Sequence, residues 1–364
     1  MDKQFISYYE KIGFAPTGID SNKKHLLTSN RTNLYTKLGL LPQFFHGLTC
    51  LEIGPGAGDN TKDLLQRGVS KMTILDLSNT VVEALKKILP DVKYVVADAY
   101  DPINFGRFDF VLIEGVLPFQ ADPISMYLNA LNSLEVNGIL IGTAADEISS
   151  LSELLRRFYV KISLEEQLLD VHQIVKLLAK DFSFLPGMTR DPIHWVHDSI
   201  LNPWLGETFS ISDALTNLPE NFRPYSFTPN FFEDIGWYKN YLSNSELTRE
   251  IISQFQTKRM FAIDTRIDIT KHNASSVITF EAICSEIFNL ITKPTELDIS
   301  SQRTNLYELL KQLEVFTDLL DIRTLHSLMS FTKWLQSNNS EDLNGFKALW
   351  GRGQIHFAIQ KTSN

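Results

Sequence analysis

The chain has 364 residues, of which 43% are hydrophobic and 21% are charged, and its formal net charge is −9. This composition is typical of a globular protein with a sizeable core, arranged as one large domain or two smaller ones. An acidic chain without a basic run is poorly suited to nucleic-acid backbones or anionic membranes. Two cysteines, Cys50 and Cys284, are too few for a disulfide framework.

The first thirty residues are polar and charged and lack the apolar segment of a signal peptide. No apolar run reaches the roughly eighteen residues of a membrane span. We therefore expect a cytoplasmic protein without a membrane partner.

Two helices are predicted before the first strand, at residues 1–12 and 21–38. Because they precede the sheet, they could cover a bound ligand, and residues 1–40 are interpreted as an N-terminal helical lid. His25 lies on this lid and is a candidate proton acceptor.

A glycine-rich run at residues 49–61 reads as a buried strand, a loop and a helix start. Gly54, Gly56 and Gly58 allow a tight turn and a close approach of a ligand to the backbone. A dinucleotide-binding loop would carry G-x-G-x-x-G or G-x-G-x-x-A, whereas here Asp59 takes the place of the third small residue. Asp59 and Glu52 would repel a pyrophosphate. They fit a cationic ligand such as S-adenosylmethionine, which carries a sulfonium and an ammonium group.

Four further strands follow, and three of them end in an acidic residue. They are predicted at residues 72–77 with Asp76, 93–98 with Asp98, 108–114 with Glu114, and 137–144, the last entered by an Asn-Gly turn. Helical stretches at 61–67, 80–89 and 123–134 alternate with them. This order predicts a parallel sheet with helices on both faces and with the acidic residues at one sheet edge.

Residues 48–145 resemble the Rossmann-like, class I S-adenosylmethionine-dependent methyltransferases. The resemblance implies that residues 51–58 are the cofactor loop, that Asp76 binds the ribose, that Asp98 and Ala99 contact the adenine, and that Glu114 and Gly115 follow the fourth strand. The implied cofactor-binding residues are Glu52, Gly54, Pro55, Gly56, Gly58, Asn60, Asp76, Leu77, Asp98, Ala99, Glu114 and Gly115.

The second half of the chain is interpreted with the same resemblance. It implies an α/β fold, a doubly wound, mostly parallel seven-stranded sheet, with a large helical cap inserted before the last strand. The predicted units are the core at 41–148, a helical insertion at 149–218, the remaining core strands at 219–228 and 350–362, and a helical substrate cap at 229–349. Pro224 in the sixth strand favours a sheet edge or a bulge. Arg352 is expected near the pocket rim.

Methyl transfer to a hydroxyl or ammonium group requires loss of a proton, and the candidate bases are Glu114, His194, His197, Asp198 and His25. His194 and His197 lie three residues apart and would share a helix face. The alternative is that the histidines are structural. Asp191, His194, His197 and Asp198 could also be read as metal ligands, but no further ligand motif supports that reading, and no metal is predicted.

Segments at 195–204, 221–232, 236–239 and 350–354 are similar to a group of bacterial methyltransferases associated with surface-polysaccharide or specialised small-molecule pathways. Trp195, Trp204, Trp237 and Tyr238 could line an acceptor pocket or belong to the core. The leading hypothesis is methyl transfer to oxygen or nitrogen of a small molecule. The alternatives are a protein or peptide methyltransferase, a non-catalytic cofactor-binding scaffold and a nucleotide-dependent oxidoreductase. The oligomeric state stays open, with a homodimer possible in principle.

Overall fold

The computed structural model describes residues 4–204, 206–234, 236–239 and 241–363. The predicted lid at 1–40 therefore begins with three residues that lie outside the described ones. The strands are β1 (Thr49–Ile53), β2 (Lys71–Asp76), β3 (Lys93–Val96), β4 (Phe108–Ile113), β5 (Leu134–Ala144), β6 (Phe222–Thr228) and β7 (Ile355–Lys361).

Helices precede, separate and follow these strands. They are α1 (Gln4–Ile12), α2 (Lys24–Lys37), α3 (Asp59–Gln66), α4 (Asn79–Lys86), α5 (Pro123–Asn132), α6 (Leu151–Glu166), α7 (Val171–Leu177), α8 (Ala179–Ser183), α9 (Pro192–Trp195), α10 (Ile211–Thr216), α11 (Asn244–Lys258), α12 (Ala274–Thr292), α13 (Ile299–Glu314) and α14 (Ile322–Ser337). A π-helical turn follows α9 at Val196–Leu201, and 3₁₀ turns lie at Ser21–Lys23, Pro42–Phe45, Arg259–Ile263 and Ser340–Ala348.

The strands form one seven-stranded sheet in the order β3-β2-β1-β4-β5-β7-β6. The pairs among β1 to β5 are parallel, whereas β7 runs antiparallel between β5 and β6. The predicted mostly parallel seven-stranded fold is confirmed. β6 is an edge strand, and its pairing shifts register between Pro224 and Ser226, as the proline indicated.

Helices cover both faces of the sheet, because its strands carry buried apolar side chains on each side. One core joins the sheet to α5, α10 and α11, and the other joins it to α2, α3 and α4. The central strand β1 is buried from Cys50 to Ile53, which explains why it could be recognised in the sequence as an apolar run.

The Asn-Gly pair does not form the entry to β5, as the sequence analysis expected. β5 begins at Leu134, which pairs with Phe108, and Asn137 lies within the strand with φ +66°. The register shifts there, so the pair forms a bulge. Pairing with β4 extends the strand beyond the local turn signal.

Residues 229–349 lie between β6 and β7 in the chain, and α11 of this segment packs on the sheet core. α12, α13 and α14 build a separate hydrophobic core with α6, through residues such as Phe158, Ile287, Leu310 and Phe331. The domain boundaries derived from the sequence stay a prediction.

One described helix, α12, is long and apolar enough to cross a membrane by length and composition, with a mean hydropathy of 1.3. The sequence analysis expected none. Phe280, Cys284 and Ile287 of α12 are nevertheless buried in the helical core. Core helices of soluble proteins pass the same test, so the length and composition of α12 are weak evidence for a membrane span.

Candidate functional site

A cavity of about 330 Å³ lies at the carboxyl ends of β1, β2, β3 and β4. Of the predicted cofactor-binding residues, those that line it are Gly54, Pro55, Gly56, Asn60, Asp76, Leu77, Asp98, Ala99, Glu114 and Gly115. Ligands of parallel α/β sheets bind at this edge. The acidic residues of three strands therefore face one common space, although their contacts with a cofactor stay a prediction.

The glycine loop between β1 and α3 needs glycine for its backbone shape. Gly54 and Gly56 have φ values of +67° and +55°, where side chains are strained. A Cβ atom on Gly56 would lie 2.2 Å from Thr17 Oγ1. The hydroxyl of Thr17 in turn accepts a hydrogen bond of 2.8 Å from the N–H of Ala57. An N-terminal residue thus packs directly on the loop.

Gly58 and Glu52 lie behind the cavity wall and are not among the described lining residues. Gly58 caps α3 in a left-handed conformation, and the helix starts at Asp59. A Cβ atom on Gly58 would lie too close to the side chain of Leu85 in α4. Glu52 is buried and accepts a hydrogen bond from the hydroxyl of Thr61. Burial raises the pKa of Glu52 to about 7.

Asp76 and Asp98 follow neighbouring strands and are both fixed by backbone groups. The N–H of Ser78 donates to Asp76 at 2.8 Å, and the N–H of Tyr100 donates to Asp98 at 3.0 Å. Burial raises the pKa of Asp76 to about 6 despite its backbone hydrogen bonds. Each carboxylate keeps an oxygen for a hydroxyl or amino donor in the cavity.

Glu114, after β4, is held by a cation that the sequence analysis missed. Arg31 of α2 donates to both carboxylate oxygens, at 2.5 Å and 2.9 Å, and also to Asn60. His356 at the start of β7 places its Nε2 atom 3.4 Å from Glu114. Burial alone would raise the pKa of Glu114, but Arg31 and His356 outweigh it and hold that pKa well below its usual range.

The two histidines of the predicted pair meet the N-terminal segment rather than the cavity. The N–H of Gly18 donates to His194 Nδ1 at 2.9 Å, and the hydroxyl of Tyr8 lies 2.7 Å from His197 Nδ1. Burial lowers the pKa of both imidazoles. They are not among the described residues that line the cavity, so the structure favours the alternative in which they hold the N-terminal segment.

Asp198 does line the cavity, where it forms an ion pair with Arg190 and accepts a hydrogen bond of 3.1 Å from the hydroxyl of Tyr9. His25 is exposed on α2 and does not appear among the described lining residues. Within the described ranges, no group of three His, Cys, Asp or Glu side chains could hold a metal ion.

Two segments outside the sheet region line the described cavity. Its described lining residues outside the sheet region come from residues 9–31 and 189–198 and from Gln354, and none comes from 229–349. Arg352, expected at the rim, donates instead to the carbonyl groups of Phe261, Thr265 and Ile267. Trp237 and Tyr238 are exposed, while Trp195 and Trp204 are buried, and none of the four lines the described cavity.

Thr17, Arg31, Gln120 and Gln354 line the cavity without having been identified from the sequence. No motif marks them, because their partners lie far away in the chain. The one available signal was the lid prediction, which placed Thr17 and Arg31 in the right segment.

Residues 51–142 match the family model described as a methyltransferase domain. Residues 51–142 are therefore assigned as a methyltransferase domain, as their motifs predicted. A search of curated proteins found no match.

Solved structures with a similar fold include the N-methyltransferase NodS of Bradyrhizobium japonicum in complex with S-adenosyl-L-homocysteine. It is 16% identical, with a TM-score of 0.32, and the alignment covers 40% of this chain and 75% of that one. The glycopeptide N-methyltransferase MtfA with the same ligand is 25% identical, with a TM-score of 0.28 and coverage of 33% and 52%. DesVI of Streptomyces venezuelae is 15% identical, with a TM-score of 0.28 and coverage of 39% and 57%. Similarity at these TM-scores carries no information about the acceptor of this chain.

Proposed function

We propose that this protein transfers a methyl group from S-adenosylmethionine to an oxygen or nitrogen atom of a small molecule, of sugar-like or specialised-metabolite type. The observation that carries the proposal is that Asp76, Asp98 and Glu114, each after a different strand, line one cavity with the glycine loop. We further propose a cytoplasmic enzyme without nucleic-acid or membrane partners, and a homodimer is compatible with this function.

The residues of the cavity fit the chemistry of this cofactor. Asp76 and Asp98 offer acceptors for ribose hydroxyls and an adenine amino group. Asp59, beside the glycine loop, would repel the phosphates of a dinucleotide. Arg31 and the first turn of α3 offer positive charge and N–H groups for a carboxylate.

When bound, S-adenosylmethionine supplies a methyl group on a positively charged sulfur atom. The task of the chain is to orient the acceptor in line with that bond and to exclude water. α2 and residues 189–198 cover the strand ends and serve the second purpose. Glu114 and Asp198 are the predicted bases that line the cavity, and we assign proton transfer to this pair of candidates.

A small acceptor is favoured over a polypeptide because of where the cavity is covered. Docking of a protein chain was expected to use a groove in the 229–349 helices. Among the described lining residues, none belongs to that segment. The cavity is instead lined by residues from segments 9–31 and 189–198, which lie over the carboxyl ends of the strands.

The proposal is tested by calorimetric titration of the protein with S-adenosylmethionine and, separately, with NAD. We expect binding of the former, and we expect Asp76→Ala to weaken it by about 1–3 kcal/mol because a charged hydrogen-bond acceptor is lost. Asp91→Ala is the matched control, because Asp91 is exposed and lies outside the described cavity lining. Absence of binding, or binding of NAD instead, would refute the proposal.

A further inference from the structure

Arg31 contacts two side chains of the cavity that have different roles in the proposed reaction, Glu114 and Asn60. Its guanidinium group binds Glu114 through two hydrogen bonds and also donates to Asn60. Asn60 is the second residue of α3, next to the glycine loop, whereas Glu114 follows β4. All three side chains line the same cavity.

The Asn60 side of Arg31 is the side on which an anion is expected. The N-terminus of α3 presents N–H groups and the positive end of the helix dipole. A guanidinium group has five N–H donors in a planar fork and can serve more than one carboxylate. The amino-acid part of S-adenosylmethionine carries one carboxylate, which Arg31 would bind on its Asn60 side.

We propose that Arg31 exchanges part of its ion pair with Glu114 for the carboxylate of the cofactor, and that this exchange enables Glu114 to accept the proton of the methyl acceptor. The inference rests on the proposed function. It assigns Arg31 as a cofactor-binding residue that also controls Glu114.

The charged and titratable groups around Glu114 come from three elements. Arg31 and Tyr35 approach from α2, Glu52 from the end of β1 and His356 from β7. While Arg31 is fully engaged, Glu114 stays ionised and is a weak base, in agreement with its lowered pKa. Once Arg31 is shared, burial acts with less opposition and the pKa of Glu114 rises.

The resulting step balances without an oxidant or reductant. A lone pair on the acceptor oxygen or nitrogen forms the new bond to carbon, and the electron pair of the carbon–sulfur bond returns to sulfur. Glu114 takes the proton that the acceptor loses. The Nε2 atom of His356 lies 3.4 Å from Glu114 Oε1 and stays beside this carboxyl group.

The exchange predicts that cofactor binding is coupled to proton uptake. We would titrate S-adenosylmethionine and S-adenosylhomocysteine calorimetrically in buffers of different ionisation enthalpy, at several values between about pH 5 and pH 8. Wild-type protein should take up a fraction of a proton more than Glu114→Gln, with the largest difference at the acidic end. Glu83→Gln is the control, because Glu83 is exposed and pairs with Lys86 on the surface of α4, so it should match the wild type.

Two further variants keep the test decisive. Arg31→Met should weaken binding by about tenfold or more and remove the extra proton uptake, because Glu114 no longer starts as a paired carboxylate. Glu52→Gln is compared with Glu114→Gln because Glu52 also lies near Arg31. The uptake that belongs to Glu114 is the part that Glu114→Gln removes and Glu52→Gln retains. Equal proton counts in wild type and Glu114→Gln, or normal binding with unchanged uptake in Arg31→Met, would overturn the inference. Absence of binding by the wild type would instead refute the proposed function.

Discussion

Two parts of the molecule lie beyond the carboxyl ends of the strands, and they do different things. Residues 9–31 and 189–198 are short, and they provide the cover of the cavity. Residues 229–349 are far longer, yet the described part of this segment contributes no lining residue. Its last three helices, α12 to α14, bury their apolar faces against one another and against α6, whereas α11 packs on the sheet core.

The difference shows that the size of an insertion does not tell which part covers a site. The N-terminal segment reaches the cavity through specific polar contacts, such as Thr17 with Ala57 and Arg31 with Glu114. The long helical segment instead supports the wall indirectly. Arg352, two residues before Gln354, is anchored to carbonyl groups at residues 261–267.

The largest expected effect comes from filling the contact between the glycine loop and the N-terminal segment. Gly56→Val places a branched side chain at φ +55° and against Thr17 Oγ1, 2.2 Å from the new Cβ atom. We expect loss of about 3–5 kcal/mol of cofactor binding free energy, measured by calorimetric titration.

Gly187→Ala is the control for this change, because a Cβ atom there meets nothing within 4 Å. It should bind like the wild type. Unchanged affinity in Gly56→Val would mean that this loop and its cover are not part of the cofactor site.

The second test addresses the long helical segment. Leu310→Ala removes a fully buried side chain from its core and should lower the free energy of unfolding by about 2–5 kcal/mol. Cofactor affinity of the folded variant should stay unchanged, as should both quantities in Leu168→Ala, where the side chain is 97% exposed. A clear loss of affinity in folded Leu310→Ala would contradict the separation of the two regions.

The third test concerns the sheet beneath the loop. Because the pKa of Glu52 is raised from 4.5 to about 7 in the folded protein, the folded state binds its proton more tightly than the unfolded state does. Wild-type stability should therefore fall as pH rises across that window, by up to about 3 kcal/mol relative to Glu52→Gln. Denaturant unfolding at several pH values measures this; the exposed Glu220→Gln should keep the wild-type slope, and a common slope for all three proteins would refute it.

The smallest effect is expected at the exposed aromatic pair. Trp237 is 60% exposed and Tyr238 is 85% exposed, outside the described cavity lining. Trp237→Ala should change stability by less than about 0.5 kcal/mol and leave cofactor affinity unaltered. Loss of methyl transfer in a stable Trp237→Ala protein would place this loop at the acceptor. It would contradict the distinction between the 229–349 segment and the segments that line the cavity.

The elements around the cofactor loop could be predicted because local patterns and the fold agree there. Apolar runs ending in Asp76 or Glu114 have the length of strands, and the glycine loop needs conformations that only glycine adopts easily. The bulge at Asn137 could not be read in this way, since pairing of Leu134 with Phe108 overrides the local preference for a turn.

The contacts that define the cover depend on residues distant in sequence. Arg31 and Glu114 are 83 positions apart, and Gly18 and His194 are 176 positions apart. A single sequence carries no signal for such pairs. His194 and His197 are candidate bases by sequence, whereas the Nδ1 atom of each contacts the N-terminal segment. The position of the 229–349 insertion was implied by the resemblance to class I methyltransferases, whereas the packing of its helices against α6 depends on contacts that the sequence does not show.

The position of β7 has a consequence for how the chain is made. β6 joins the sheet through β7, which lies between β5 and β6. During synthesis, residues 222–228 emerge before β7, their partner in the sheet, and the whole helical segment is made in between. A protein truncated before residue 354 would lose two strands rather than one, together with the glutamine that borders the cavity.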